Sequence, residues 1–350
     1  MKDNATGLTL VPHAVSMARR TGDLLMTSRT PFDPVVSNTG VWLDKWAGET
    51  PSSIFLAERS GDGWREMGYA EVRDAVRAIA SSLAARGMDA STPIVIMSGN
   101  SLDHALLSLG AQYAGVPTVP LAEQYSLITE AHDRLVYVLN KVRPAMAFVD
   151  EASRYGAAIS RPELEGVEIV ASMTENSPVK VTPFAELLRG DSGVDLASVH
   201  AKVGPETLAK ILFTSGSSSD PKGVLTTQKM MCANQAQMAS VLPFLKERPP
   251  RIMDWLPWNH VFGGSHNTLM MLAHGGSLYI DNGKPTSTGF PDTIRNVIDK
   301  PGTLSFNVPV GFAMLVHEME TNMALRKAYF SDLDMLFYAC LLYTSPSPRD

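Results

Sequence analysis

Cysteine is scarce: Cys232 and Cys340 are the only two in 350 residues. Two thiols cannot build a disulfide framework or a Cys-rich zinc site, and so few suit a reducing compartment. The first residues, Met1 to Gly7, lack the apolar core of a secretory signal. Long unbroken apolar runs are missing too. Segment 105–122 is interrupted by Pro117 and Pro120, and segment 262–280 by His266, Asn267, His274 and the pair Gly275-Gly276. Each reads as a helix, a turn and a strand in series, not as a membrane span. The expectation is a soluble, cytoplasmic protein. Basic charge is not in excess: 30 Lys+Arg against 36 Asp+Glu leave a net charge of −6, which argues against broad electrostatic binding to nucleic acid. With 45% apolar and 19% charged residues the chain is neither disordered nor collagen-like.

What is present is alternation. Segment 1–40 is rich in Pro, Thr and Ser and reads as an irregular N-terminal segment over the surface. A hairpin is expected around Gly61-Asp62-Gly63. A helix follows over 71–86, with Val72, Val76, Ile79 and Leu83 on one face and Gly87 as its stop. Ser101 is placed to cap a helix carrying Leu102, Leu106, Leu109 and Tyr113. Strands are expected at 93–97, 116–121, 145–149, 210–213, 224–226, 252–256, 277–280, 303–308 and 333–339. Helices are expected at 127–142, 228–242, 264–273, 291–299 and 311–320. This is the pattern of an α/β fold with mostly parallel sheets covered by helices. We divide it into a first α/β subdomain at 41–205, whose end (151–205) is irregular, and a second at 206–339. Residues 340–350 follow a strand with no element to close the unit and are read as a foreign tail.

The most informative segment is Phe213-Thr214-Ser215-Gly216-Ser217-Ser218-Ser219-Asp220-Pro221-Lys222-Gly223-Val224. Hydroxyls and free backbone N–H groups donate to phosphate oxygens, and glycine lets the backbone approach. Lys222 adds a compact charge worth about 1–4 kcal/mol against one phosphate charge at ~4 Å. A Walker loop fails on order and context, because Lys222 precedes Gly223 and a strand follows instead of a helix. A plain Ser-rich linker would need neither Pro221-Lys222-Gly223 nor the apolar strands on both sides.

The segment resembles the phosphate-binding loop T-S-G-[ST]-T-G-x-P-K-G of the adenylate-forming superfamily of acyl-CoA synthetases, luciferases and adenylation domains. Ser218 replaces Thr, and Ser219 stands where the family usually has Gly. Two further segments agree in family order: 113–121 (Tyr-Ala-Gly-Val-Pro-Thr-Val-Pro-Leu) and 256–264 (Leu-Pro-Trp-Asn-His-Val-Phe-Gly-Gly). The latter, with segments 279–285 and 306–309, looks most like feruloyl-CoA synthetases. The resemblance implies an ATP-dependent ligase that joins an aromatic carboxylic acid to coenzyme A through an acyl-adenylate. It places Thr214, Ser215, Gly216, Ser217, Ser218, Lys222 and Gly223 on the phosphates, with Thr214 also the candidate for Mg²⁺. It makes His260, beside Lys222, a catalytic candidate bordering the acid, with Phe262, Asn307 and Val308 as pocket wall.

Plainer roles exist for each. His260 also suits a simple turn, Phe262 a core filler, Asn307 a helix cap, and Trp255 and Trp258 apolar filling. His266 and His274 are too far apart for one helical metal site, and 317–321 lacks the second His of a zincin, so no zinc is assigned. The family's later G-Y-G-x-T-E and T-G-D motifs and its small lysine-bearing domain are not found here, so the chain is expected to be an N-terminal fragment, poorly active. A fatty acid in place of the aryl acid, a carrier protein in place of coenzyme A, and a non-catalytic nucleotide- or acid-binding protein are the competing readings. The oligomeric state is not legible.

Overall fold

The structure, a computed structural model, describes residues 8–11, 14–214 and 220–339. Its largest layer is a seven-stranded sheet, in the order Lys222–Thr227, Leu208–Thr214, Thr118–Pro120, Ile94–Ile96, Met146–Glu151, Glu168–Met173, Thr182–Pro183. The first two strands pair antiparallel and every other neighbour pairs parallel. A four-stranded sheet runs Arg251–Asp254, Ser277–Ile280, Ile54–Ser60, Gly63–Gly68, parallel except for its terminal hairpin. A parallel pair, Leu304–Asn307 with Met335–Tyr338, abuts it: the Thr303 N–H donates to the Arg251 carbonyl at 2.8 Å. This is the expected α/β fold of helix-covered, mostly parallel sheets.

Both sheets draw strands from either side of residue 205. Ile54–Ser60 pairs with Ser277–Ile280, and Thr118–Pro120 with Leu208–Thr214. The segments 41–205 and 206–339 are therefore a division of the chain and not of the sheets. The core explains the interleaving. Helices Tyr69–Ala85 and Leu102–Ala114 lie between the layers, and their stripes Val72, Val76, Ile79, Leu83 and Leu102, Leu106, Leu109 are all buried. Gly110 allows the two helices to approach, since a Cβ there would sit 2.6 Å from the Ile79 methyl. Tyr69 ties the layer to the second half by donating to the carbonyls of Met271 (3.1 Å) and Gly276 (2.8 Å).

The punctuation follows the chemistry. Ser101 accepts from the His104 N–H, and Gly87 and Gly115 take left-handed φ of 72° and 79° where helices stop. Four expectations change. Segment 1–40 contains a hairpin, Val15–Arg20 with Asp23–Ser28, turned by Thr21 (φ 35°) and Gly22 (φ 94°); almost all of it is exposed, so it carries no one-sided apolar pattern to read. The helix expected at 127–142 breaks into Gln124–Leu127, a 3₁₀ turn Thr129–Ala131 and His132–Val142. The irregular stretch 151–205 contributes the strand Glu168–Met173, with Ile169, Val170 and Ala171 buried. The helix expected at 264–273 starts as a π-helical turn, Phe262–Asn267, before Thr268–Ala273. Among the described residues no helix is long and apolar enough to cross a membrane. Residues 340–350, read as a foreign tail, lie outside the described residues.

Candidate functional site

Ligands of open parallel sheets bind beyond the carboxyl ends of the strands, and both candidate cavities lie there. Leu208–Thr214 ends on Thr214, which pairs across the hairpin with Lys222; the Thr214 hydroxyl donates weakly to the Lys222 carbonyl at 3.4 Å. The antiparallel register holds the two ends of the Ser/Gly loop together. Thr214, Lys222 and Gly223 are exposed, while Pro221 is buried and pins the returning strand. Ser215, Gly216, Ser217 and Ser218 lie outside the described residues. The hairpin leads directly into the helix Gln228–Val241, capped by the Thr227 side chain.

That helix walls an apolar cavity of about 820 Å³. Thr226, Met231 and Asn234 line it from this side, and His260, Phe262, His266 and Val308 from the other. The structure thus brings His260, Phe262 and Val308 together. Asn307 stands behind the wall: it is buried, and its Oδ1 accepts from Trp255 Nε1 (3.2 Å) and the Val308 N–H (2.9 Å). It orients Trp255, which lines the cavity.

His260 is exposed at the cavity. Its Nδ1 accepts the Phe262 N–H at 3.2 Å, so in the neutral ring the proton resides on Nε2 as a donor. The π-helical turn that follows is held from below by buried Lys210, whose Nζ donates to the Gly264 carbonyl (2.7 Å) and the Ser265 hydroxyl (3.2 Å). Burial pushes the Lys210 ammonium down to about 8. Wide turns of this kind free carbonyls from the helix ladder; Lys210 takes up that of Gly264, and the Thr268 hydroxyl that of Gly263 at 2.9 Å. Phe262, His266, Phe306 and Phe337 cluster with ring centroids 5.3–6.1 Å apart.

A second, polar cavity of about 460 Å³ lies where the carboxyl ends of both sheets converge, lined by Asn100, Glu123, Asp150, Arg154, Asp281 and Lys284 among others. Glu123 is its hub, meeting Arg154 at 2.7 Å, the Tyr155 hydroxyl at 2.9 Å and Lys284 at 3.4 Å. Burial opposes its charge, but Lys284, Tyr155 and Arg154 together outweigh burial and hold the carboxyl below its usual range. Burial raises Asp150 above the usual carboxylate range. Asn100 clasps the partition between the cavities: it donates to the Leu256 carbonyl (2.9 Å) and accepts the Trp258 N–H (3.1 Å). Sequence reasoning missed Lys210, Asn100, Glu123, Met231, Asn234, His266 and Lys284 as site residues. A charged residue in the apolar run 208–213 was the one available signal, for Lys210.

A family model described as AMP-binding enzyme matches residues 43–343. A long-chain-fatty-acid–CoA ligase of Mycobacterium bovis is 26% identical over 279 residues, 77% of this chain and 43% of that protein. An indoleacetate–CoA ligase of Aromatoleum aromaticum is 27% identical over 241 residues, 68% of this chain and 44% of that protein. The match spans less than half the length of either relative. The solved structure of O-succinylbenzoate coenzyme A synthetase from Bacillus subtilis in complex with AMP superposes with a TM-score of 0.65 at 17% identity, covering 88% of this chain and 55% of that one. That likeness is one of fold.

Proposed function

The chain belongs to the AMP-binding enzyme family, and from that premise we propose that it carries the acid-activating site of an AMP-forming ligase of the feruloyl-CoA synthetase type. The acid would be aromatic, and ATP and coenzyme A the co-substrates. The observation that carries this reading is the apolar, aromatic-lined cavity with His260 on its wall, joined by one short strand to the hairpin that holds Thr214 and Lys222. Flat apolar walls with a few polar groups suit an aryl acid.

The chemistry follows from the residues. A carboxylate is a poor electrophile, so it attacks the α-phosphate of ATP: a carboxyl-O–P bond forms, and the P–O bond to pyrophosphate breaks. The thiol of coenzyme A then attacks the acyl carbon and AMP departs. The acid's carboxylate would accept from His260 Nε2–H, which orients it and keeps its lone pairs toward the phosphate. Lys222 and the loop hydroxyls would stabilise charge on the β- and γ-phosphates. Among the described residues no three His, Cys, Asp or Glu side chains cluster as a metal site. A cation here would rest on hydroxyl and phosphate oxygens, with Thr214 the described candidate, which suits Mg²⁺; when bound, it would neutralise phosphate charge.

The Mycobacterium bovis relative favours a second reading, a fatty-acyl substrate. Isothermal titration with hydroxycinnamates and with medium-chain fatty acids separates the two. Tighter binding of the hydroxycinnamates supports the aryl reading, and tighter binding of the fatty acids replaces it. Acid binding with no acid-dependent exchange of pyrophosphate into ATP by the chain would favour a binding role.

A further inference from the structure

Two histidines line the apolar cavity, and their hydrogen bonds give them opposite polarity. His260 keeps its proton on Nε2, as above. For His266 the sense is set by a buried chain of three side chains. Asp254 Oδ1 accepts the Leu256 N–H (3.0 Å), and its Oδ2 accepts from Asn267 Nδ2 (2.8 Å). Burial raises Asp254 to about 7, so above that pH its carboxylate is ionised and fixes which way the Asn267 amide faces, and Asn267 Oδ1 is presented to His266 Nδ1 at 2.9 Å. An amide oxygen only accepts, so His266 Nδ1 carries the proton. Burial lowers the pKa of His266, which keeps the ring neutral. His266 Nε2 is then a bare acceptor, and no described residue donates to it.

We infer that His266 is a specificity-determining residue that accepts a hydrogen bond from a hydroxyl on the aromatic ring of the acid. The inference rests on the aryl-acid reading above and deepens it. The ring sits among Phe262, Phe306 and Phe337, stacked on the last at 19°, and none of these three rings carries a donor. A ligand hydroxyl supplies the donor; a methoxy group or a bare ring leaves the acceptor unpaired, and sites built around a hydrogen bond reject analogues that lack it. Asp254 and Asn267 are positioning residues for this contact, since they act only through the tautomer of His266.

The test is equilibrium binding of 4-hydroxycinnamate, 4-methoxycinnamate and cinnamate to the 350-residue chain and to its His266→Phe and His266→Gln variants. The wild type should favour the hydroxylated acid by about 10-fold or more. His266→Phe, which fits the aromatic cluster, should lose the preference for the hydroxylated acid over cinnamate. His266→Gln, which retains an acceptor, should keep part of it and covers the case in which the Phe variant does not fold. Equal binding of all three acids by the wild type, a preference that survives in His266→Phe, or one that is undiminished in His266→Gln overturns the assignment of His266 alone. If no cinnamate binds, the aryl-acid reading itself fails and this inference falls with it.

Discussion

Replacing Gly264 with alanine is the sharpest probe of the π-helical turn. The Gly264 N–H donates to the His260 carbonyl at 2.9 Å, and its own carbonyl takes the Lys210 ammonium. A Cβ at this position would fall against the Trp258 carbonyl oxygen, 2.8 Å from the Trp258 carbonyl carbon and 2.9 Å from its Cα. These are main-chain atoms, so no rotamer change relieves the overlap. Carbon atoms rest about 3.5 Å apart, so the carbon contacts alone require one backbone to retreat by roughly 0.7 Å, and the nearer carbonyl oxygen requires more. Either the segment carrying Phe262 and His266 moves or the one carrying Trp258 does. Overpacking of a well-filled interior costs about 1–3 kcal/mol, and with backbone on both sides the upper end is expected. Urea unfolding followed by tryptophan fluorescence reads this loss, because Trp258 is buried and Trp255 half-buried in the folded chain. Acid binding should weaken in parallel. A loss below about 0.5 kcal/mol with unchanged acid affinity would refute the reasoning, since that is the range of neutral surface changes.

Three further expectations concern charge. Burial holds His104 neutral, with its ring Nδ1 on the Gly99 carbonyl at 2.9 Å and its pKa lowered from 6.5 to about 4. The unfolded chain takes up the proton first, so the stability His104 carries at neutral pH is withdrawn as pH falls from 6.5 through 4, by about 1.4 kcal/mol per unit. The stability deficit of His104→Gln relative to wild type should therefore shrink by about 2 kcal/mol between pH 7 and pH 5; a constant deficit means the ring protonates freely. Lys210, lowered from 10.5 to about 8 by burial, sheds its proton earlier when folded, so wild type should gain stability over Lys210→Met as pH rises from 8 to 10.5; a flat difference contradicts a buried ammonium. Lys222→Ala should leave the fold intact, because Lys222 is exposed, and should weaken pyrophosphate binding about 10-fold, near the value of one charge-assisted contact; unchanged affinity in calorimetry removes Lys222 from the phosphate site.

Where burial is one-sided, periodicity sufficed: the stripe Val72, Val76, Ile79, Leu83 is buried as its spacing implies. Local chemistry was equally legible at Ser101, which caps its helix, and at Gly87, which ends its own. The hairpin Val15–Arg20/Asp23–Ser28 was not, because with Met17, Leu24 and Met26 all exposed its pattern reports no core. The π-helical turn also escaped. One extra residue per turn leaves the apolar spacing of 262–273 helix-like, and the ammonium of Lys210 that holds the turn arrives from a strand some fifty residues earlier. At the site, motifs pointed to His260, Phe262 and Val308, which share a cavity. The polar hub Glu123, Arg154, Lys284 stayed hidden, because its members sit on three separate loops, two at strand ends of the seven-stranded sheet and Lys284 beyond the four-stranded one.

The pairing of early with late strands in the four-stranded sheet sets a timetable for synthesis. Leu56 lies opposite Leu278, so the hairpin Ile54–Gly68 leaves the ribosome with its inner edge bare and must wait for a partner made more than two hundred codons later. At roughly 5–20 residues per second the wait is some ten to forty seconds. An unpaired edge rich in Ile, Phe and Leu is a template for the wrong strand throughout that time. Folding of this chain is therefore a problem of delay, and slowing translation between codons 70 and 280 should lower the soluble yield before it affects any property of the finished molecule.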